Sequence, residues 1–340
     1  MTKLDKNTSE KATMTRVWGA SSVSKVDVTQ DARYRWFVDR QDDLRGKGEI
    51  VELKNPLPAL AEKVGEFGIF TFFRCSETGF QFANPRLSTA GTLRHFAEND
   101  YGEYFATVES TKATRIEIAY RPLLQYLMEH RKAPASLLEV GCGSGALLEF
   151  LRDEGGYDVE GVEIAPTAVP YQQKKHLKVY QAPIEALKPA RQFDIVLMWS
   201  VLDHLADPVA ALQTSYRALK PGGLMLIGNV NTDGFDHQIM GHDNFTFRPP
   251  GRVNYYNIKS LTAHIELSGF EVLEVTTPGK LDVDLVRDYW RESADRPRVP
   301  FLETLLLDSR NKEAAAEFQE FLGRRQLSGY QRVLARKPLA

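Results

Sequence analysis

Cysteine is scarce in this sequence. Cys75 and Cys142 are its only cysteines among 340 residues. A framework of several disulfides is therefore excluded, and a reducing compartment such as the cytoplasm is expected. Cys75 opens a Cys-Ser-Glu-Thr segment rather than a CxxC pair, so it cannot supply the ligands of a zinc finger. We predict that the protein binds no metal.

Long hydrophobic runs are also missing. No stretch approaches the roughly 20 consecutive apolar residues that a membrane-spanning helix needs. The first residues, Met1–Asn7, are polar and lack the apolar segment of a secretory signal peptide. The sequence therefore predicts a protein without a membrane partner.

An excess of one charge is absent as well. Lys and Arg together number 43, Asp and Glu 45, and the formal net charge is -2. This balance disfavours nucleic-acid binding through a general positive field. The composition, 43% hydrophobic and 26% charged, is ordinary for a globular protein, and the length allows two domains or one large domain with additions.

The pattern of the chain differs between its first third and the rest. Up to about Lys54 the sequence is polar, with scattered aromatic residues and no clear periodicity. Two aromatic-rich strand patterns, Ile69–Phe73 and Gly79–Phe82, flank Cys75–Thr78 and predict a hairpin. The segment Thr92–Tyr104 is predicted to be helical.

From Leu123 onward strands alternate with helices. The predicted strands are Leu137–Val140, Val159–Val162, Phe193–Trp199, Leu224–Ile227, Phe270–Val275 and Tyr330–Ala335. The predicted helices between them are Ala146–Arg152, a helix that Asp207 caps, and Ile258–Leu267. Such alternation predicts an α/β fold with a doubly wound, mostly parallel sheet covered on both faces.

A glycine-rich loop, Glu139–Gly145, lies directly between a strand and a helix. Glycines there let the backbone turn tightly and approach a nucleotide-like ligand. Glu163 ends the next strand, where a carboxylate can accept both hydroxyls of a ribose. The loop also satisfies the relaxed G-x-G-x-x-A dinucleotide fingerprint, so a nicotinamide-dinucleotide oxidoreductase remains an alternative. The carboxylate of Glu139, however, would repel a pyrophosphate and suits a cationic ligand.

Four segments together resemble the class I S-adenosylmethionine-dependent methyltransferases, in the branch related to ubiquinone-type and sugar methyltransferases. They are Leu137–Gly145, Val159–Glu163, Phe193–Pro208 and Leu219–Leu226, and the resemblance covers roughly Ala113 to Thr277. It implies a Rossmann-like, seven-stranded sheet, S-adenosylmethionine as cofactor, and methyl transfer to a small-molecule substrate.

An upstream segment, Cys75–Arg86, resembles the cysteine knuckle that precedes this domain in carbohydrate-cluster methyltransferases. That knuckle carries CxxC and binds zinc, whereas here Thr78 replaces the second cysteine, so only the hairpin is expected. Pro278–Asp284 is similar to a downstream signature of the same group. The resemblance implies a hydroxyl acceptor on a sugar, nucleotide sugar or secondary metabolite.

The resemblance also implies a set of cofactor-binding residues: Glu139, Gly141, Cys142, Gly143, Gly145, Glu163, Ile164, Ala182, Pro183, Ile184, Met198 and Trp199. Within this set, Glu139 is expected near the amino group of the methionine part and Glu163 on the ribose. Ile164 is expected against the adenine, with backbone groups of Ala182–Ile184 near its amine. Met198 and Trp199 are expected to face the methionine arm, and core packing is the alternative for Trp199.

A hydroxyl acceptor must lose its proton during methyl transfer, and histidine is the commonest base. His204 follows the Phe193–Trp199 strand, and His237 and His242 lie in the next loop, Asn231–Asn254. These three are the candidate catalytic residues. The alternatives are packing of His204 at the start of the following helix and an ordinary solvated loop. No Asn/Asp-Pro-Pro motif follows the strand, which disfavours nucleic-acid bases as acceptors.

We predict three parts of the chain. Residues 1–110 form an N-terminal substrate-side region with a hairpin near 67–82, and residues 111–278 with 328–340 form the cofactor-binding core. Residues 279–327 form a helical insertion that is a lid, a homodimer contact or decoration. Two rival functions stay open: a small-molecule N- or C-methyltransferase, and a catalytically silent cofactor-binding module.

Overall fold

The computed structural model describes residues 32–56, 60–99 and 101–339. The segment Met1–Asn7, for which we predict no signal peptide, lies outside these ranges, as does the rest of the chain before residue 32. Across the described ranges no helix combines the length and apolar character needed to cross a membrane.

The strands build two larger sheets and one small pair. In chain order they are β1 (Ile50–Val51), β2 (Ala61–Phe67), β3 (Phe70–Cys75), β4 (Gln81–Asn84), β5 (Arg86–Leu87), β6 (Ser136–Val140), β7 (Asp158–Glu163), β8 (Val179–Gln181), β9 (Phe193–Trp199), β10 (Leu219–Val230), β11 (Asn254–Tyr255), β12 (Glu271–Thr276) and β13 (Tyr330–Arg336).

The α-helices precede, alternate with and follow the strands of the core. In chain order they are α1 (Ala32–Asp39), α2 (Gln41–Gly46), α3 (Thr89–Glu98), α4 (Gly102–Ser110), α5 (Lys112–Arg115), α6 (Arg121–His130), α7 (Ala146–Asp153), α8 (Val169–Lys174), α9 (Pro208–Ala218), α10 (Phe235–Met240), α11 (Ile258–Leu267), α12 (Asp282–Glu292), α13 (Pro300–Leu307) and α14 (Lys312–Arg324). A π-helical turn, Ile116–Tyr120, joins α5 to α6.

The central sheet has seven strands in the order β12-β13-β10-β9-β6-β7-β8. The strands from β10 to β8 run parallel, while β13 is antiparallel to both β10 and β12. Leu212 of α9 and Leu261 of α11 pack on one face, and Leu123 of α6 and Leu148 of α7 on the other. This confirms the predicted Rossmann-like fold of class I methyltransferases.

A second, antiparallel sheet has the order β11-β4-β3-β2. We call it the N-terminal sheet, because three of its four strands precede residue 85. It contains the predicted hairpin of β3 and β4, whose turn is closed by the hydrogen bond from Gly79 N to Cys75 O at 2.9 Å. Its outer strand β11 comes from the segment that follows β10, far along the chain. Arg86 strengthens this link, because its guanidinium donates to Asn254 Oδ1 at 2.8 Å and to Val253 O at 2.9 Å.

The predicted helix Thr92–Tyr104 is wrong as one element. The structure has α3 and α4 instead, and Asn99 between them is extended. The Asn99 side chain donates to His95 O at 2.8 Å and so caps the end of α3. Upstream, α1 and α2 have no clear sequence periodicity, and burial of Phe37 against the N-terminal sheet holds α1 in place.

Three helices, α12 to α14, lie between β12 and β13. Helical patterns in the sequence at Val283–Tyr289 and Ala314–Leu322 coincide with α12 and α14, and α13 is an additional helix. The three helices enclose a hydrophobic cluster of their own, to which α10 contributes Met240. Asp282 joins the two ends of this segment, because it accepts hydrogen bonds from Ser328 Oγ and Gln319 Nε2, both at 2.6 Å.

Candidate functional site

The glycine loop turns sharply between β6 and α7. Gly141, Gly143 and Gly145 have φ values of 70°, 54° and 77°, in the left-handed region that favours glycine. A Cβ atom on Gly141 would come within 2.6 Å of Val201 Cγ2, and one on Gly145 within 2.3 Å of Leu177 Cδ1. The loop therefore needs glycine at these positions both for its backbone conformation and for its packing.

Glu163, at the end of β7, holds this loop in place. Its carboxylate accepts backbone hydrogen bonds from Gly143 N at 2.7 Å and from Ile164 N and Ala165 N, both at 2.8 Å. Burial raises the pKa of Glu163, and the three N–H donors oppose that rise. A carboxylate offers about four acceptor positions, so Glu163 keeps capacity for a ligand hydroxyl while it supports the loop.

Glu139 is the other buried carboxyl group at this edge of the sheet. Within the described ranges its Oε2 atom has no hydrogen-bond partner. Burial, together with the negative charge of Glu163, raises the pKa of Glu139 to about 8. A buried acceptor without a donor requires a partner, and the ammonium group of an amino-acid ligand has the right charge and donors. The buried carboxyl group of Glu139 therefore fits the ammonium at the methionine end of S-adenosylmethionine.

A cleft above the loop is walled by α4, α5, the π-helical turn and Trp199. Its other lining residues include Tyr104, Phe105, Arg115 and Tyr120. The Arg115 guanidinium is buried and donates from Nε to Thr111 Oγ1 at 3.1 Å. With Glu139 beside the loop, the site offers both a carboxylate and a guanidinium, as the zwitterionic end of an amino acid requires.

Sequence reasoning missed Phe105, Arg115 and Tyr120 as lining residues. They precede β6, outside the glycine motif, and no local pattern marks them. The π-helical turn that carries Tyr120 is a rare element, and such turns occur often at functional sites. Tyr104 lines the cleft, whereas the hydroxyl of Tyr101, three residues before it, lies 2.7 Å from His95 Nε2.

The two residues at the end of β9 lie on opposite faces of the sheet. Trp199 lines the cleft, and its ring packs against Tyr330 with centroids 5.4 Å apart. Met198 is completely buried in the hydrophobic cluster of the other face, with Leu138 and Val140. The structure therefore does not place the Met198 side chain toward the methionine arm, because successive strand residues alternate between faces.

The remaining predicted contacts lie around the carboxyl ends of β7 and β8. Ile164 is half-buried beside Glu163, and Ala182 and Pro183 are half-buried after β8. Ile184 is buried in the core, so its backbone and not its side chain is available. Cys142 is buried against Gly161, and burial raises the pKa of its thiol. The role of these residues in adenine binding stays a prediction.

His204 lies in a short turn after β9, and its side chain is exposed. Its Nδ1 is 2.5 Å from the carbonyl oxygen of Gly251, which can only accept, so Nδ1 carries the proton and Nε2 is the basic nitrogen. Beside it, the buried carboxylate of Asp203 pairs with Arg252 Nε at 2.8 Å. Arg252 Nε also lies 3.5 Å from His204 Nε2, so Arg252 contacts both Asp203 and His204.

The other two histidines differ from His204 in their surroundings. His237 is buried, with Nδ1 3.0 Å from Asp236 Oδ1 and Nε2 2.8 Å from Thr246 Oγ1. His242 stacks on Phe72 of the N-terminal sheet, with centroids 5.2 Å apart. The structure therefore gives His237 and His242 structural contacts on the loop after β10, away from the end of β9 where His204 lies.

Counting only residues 32–56, 60–99 and 101–339, no group of three or more His, Cys, Asp or Glu side chains could hold a metal ion. Cys75 and Cys142 are both buried free thiols.

Comparisons with known proteins point to one family. A methyltransferase domain family matches residues 113–275. A ubiquinone biosynthesis O-methyltransferase from Coxiella burnetii is 30% identical over 169 residues, which are 45% of this chain and 72% of the relative. Its counterpart from Cereibacter sphaeroides is 37% identical over 102 residues, 28% of this chain and 41% of the relative.

Solved structures of methyltransferases are also similar to this chain. One is a 1,6-didemethyltoxoflavin-N1-methyltransferase from Burkholderia thailandensis, with 15% identity, a TM-score of 0.46, and coverage of 82% of this chain and 100% of that chain. The sequence relatives, the glycine loop and the sheet order agree with one another. The chain belongs to the class I S-adenosylmethionine-dependent methyltransferases.

Proposed function

We propose that this enzyme methylates a hydroxyl group of a small molecule: a sugar, a nucleotide sugar or a related secondary metabolite. The observation that carries the proposal is the position of His204 at the carboxyl end of β9, where its Nδ1 hydrogen is fixed on Gly251 O at 2.5 Å. This orientation leaves Nε2 without a proton of its own, and Nε2 lies 3.5 Å from Arg252 Nε and 3.7 Å from Asp203 Oδ2. We propose that Nε2 takes up the proton that a hydroxyl nucleophile must lose. The O-methyltransferase names of the sequence relatives favour the same chemistry.

Residues of the cleft and of the strand ends beside it have proposed tasks. S-adenosylmethionine, when bound, supplies a methyl group on a positively charged sulfur, which is a good leaving group. Glu139 and Arg115 hold the ammonium and carboxylate of its amino-acid end, and Glu163 binds the ribose while it supports the loop. Trp199 and Tyr104 cover the site and exclude water, and His204 removes the acceptor proton. Positioning supplies most of the acceleration in such an in-line transfer.

Two further assignments follow from the packing of the acceptor side. The loop after β10 is held between the N-terminal sheet and the insertion, since His242 contacts Phe72 and Tyr289 donates to Asp243 Oδ2 at 2.9 Å. We propose that residues 1–110 and 279–327 shape the acceptor pocket through this loop. Phe301 on α13 is 74% exposed. We propose that the insertion is a homodimer contact in addition, and a dimer mass in light scattering would support this.

The test is an assay with isotope-labelled S-adenosylmethionine and paired acceptors. Each pair has the same carbon skeleton, and one member carries a hydroxyl where the other carries an amine. We expect label in the hydroxyl member, and mass spectrometry with NMR then locates the new O–CH3 group. Transfer confined to the amine members would favour the N-methyltransferase alternative. Cofactor binding without any transfer would favour a silent cofactor-binding module.

A further inference from the structure

Two buried glutamates stand on neighbouring parallel strands at the cofactor edge of the sheet. Glu139 is the last but one residue of β6, and Glu163 ends β7. Their side chains are 4% and 7% exposed. Their surroundings differ, because three backbone N–H groups donate to Glu163, whereas Glu139 Oε2 has no donor within the described part of the chain.

This difference decides which carboxyl group is charged. Two neighbouring carboxylates in a poorly hydrated site repel each other, so a proton binds to the one with the weaker compensation. That group is Glu139, since only Glu163 has its charge stabilised by hydrogen bonds. The pKa of Glu139, raised to about 8 by burial and by Glu163, agrees with this assignment and leaves roughly nine in ten Glu139 groups protonated at pH 7.

The other titratable groups near Glu139 do not pair with it. Cys142 in the loop and Tyr120 on the π-helical turn both have a pKa raised by burial, with Glu139 as a further cause, so both stay neutral. Arg115 lines the cleft, where its Nε donates to Thr111, and within the described residues Glu139 Oε2 accepts no hydrogen bond from it. A hydrogen-bonded cationic partner for Glu139 is therefore expected from the ligand.

We propose that binding of the cationic amino-acid end of the cofactor displaces the proton of Glu139 into solution. The carboxylic acid becomes a carboxylate, the ligand ammonium keeps its own proton, and one proton passes to the buffer. The inference rests on the proposed role of Glu139 in the cofactor site. Glu139 would thereby distinguish between ligands, because a ligand without the ammonium group leaves the proton on Glu139.

The proton balance gives the affinity a definite pH dependence. While Glu139 is protonated in the free protein and ionised in the complex, each unit of rising pH should tighten binding about tenfold. The rise ends near the pKa of Glu139 in the free protein. The ligand amine itself loses its proton at about pH 8, so measurements from pH 6 to 7 separate the two titrations.

The experiment is calorimetric titration of the full chain with S-adenosylhomocysteine, which has the same amino-acid end. It is run at pH 6.5 in phosphate and in Tris, whose ionisation enthalpies differ. The slope of binding enthalpy against ionisation enthalpy counts the protons, and we expect release of about one. Glu139→Gln keeps the side-chain shape without the ionisable proton, and it should bind more weakly with a release near zero.

A second probe needs no variant. 5′-Methylthioadenosine lacks the amino-acid end, and it should bind the unaltered protein without releasing a proton. Binding of S-adenosylhomocysteine with no proton release, or with the same release in Glu139→Gln, would overturn the inference and leave the proposed function intact. Absence of any S-adenosylhomocysteine binding would contradict the cofactor site itself and the inference with it.

Discussion

The cofactor side and the acceptor side of this molecule are built in different ways. On the cofactor side, the glycine loop and Glu163 lie within one β-α-β unit and bond directly to each other through Gly143 N at 2.7 Å. On the acceptor side, the loop after β10 touches the N-terminal sheet through His242 and Phe72, and the insertion through Asp243 and Tyr289.

In the function we propose, a short motif specifies cofactor binding, whereas acceptor binding depends on three segments that are distant in sequence. Changes on the cofactor side should therefore affect cofactor affinity alone. Changes on the acceptor side should affect turnover or acceptor affinity and leave cofactor binding as it was. Three substitutions test this separation, and a fourth tests the stability of the glycine loop.

The largest effect is expected for His204→Ala. Turnover should fall by about 10²–10⁴-fold, the range for loss of one general base, while calorimetry shows unchanged S-adenosylhomocysteine affinity. His130→Ala, at an exposed histidine that ends α6, is the control, and it should keep most of the turnover. Near-normal turnover in His204→Ala would place the base elsewhere and would favour an amine acceptor.

Glu163→Ala should weaken cofactor binding by roughly 2–4 kcal/mol, because it removes a charged hydrogen-bond acceptor from the ligand and from three backbone N–H groups. Turnover at saturating cofactor should change much less. The exposed Glu154 on the same β-α-β unit provides the control Glu154→Ala. Equal affinity of the two variants in calorimetry would contradict the separation.

Arg86→Met tests the contact between the N-terminal sheet and the loop after β10. Loss of the bonds to Asn254 and Val253 leaves buried acceptors unpaired and should lower the free energy of unfolding by roughly 1–3 kcal/mol. We expect a higher acceptor KM with unchanged cofactor affinity. Arg45→Met, at an exposed site of the same region, is the control, and weakened cofactor binding in Arg86→Met would be evidence against the account.

The smallest effect is expected for Gly145→Ala. Its backbone is left-handed and the added Cβ would lie 2.3 Å from Leu177 Cδ1, so stability should fall by about 1–2 kcal/mol. Gly46→Ala is the control, because no atom lies within 4 Å of a Cβ there. Urea denaturation compares the two, and an equally stable Gly145→Ala would show that the loop tolerates side chains.

The sequence predicted the position of the glycine loop between a strand and a helix for a physical reason. Glycine conformation, strand ends and the position of Glu163 are local properties, so a stretch of about one β-α-β unit contains them. The same reasoning failed for Met198, because strands of a parallel sheet are buried on both faces and hydrophobicity does not distinguish them. Arg115 and Tyr120 were missed because tertiary packing, and no motif, brings their helices to the loop.

The acceptor side was harder to predict. β2 and β11 carry weak strand patterns, and pairing with β3 and β4 decides their conformation. Three histidines were candidate bases in the sequence, and the structure separates them: Asp236 and Thr246 bury His237 in a polar network, while His204 stays exposed. Such differences depend on contacts between side chains that are distant in sequence, and local sequence patterns do not reveal these contacts.

The most direct test of the central claim is calorimetric titration of the purified full chain with S-adenosylhomocysteine and, separately, with NAD. The account predicts one S-adenosylhomocysteine site per chain, weakened by Glu163→Ala, and negligible NAD binding. Tight NAD binding without S-adenosylhomocysteine binding would contradict the account, because the glycine loop would then hold a pyrophosphate despite the carboxyl group of Glu139.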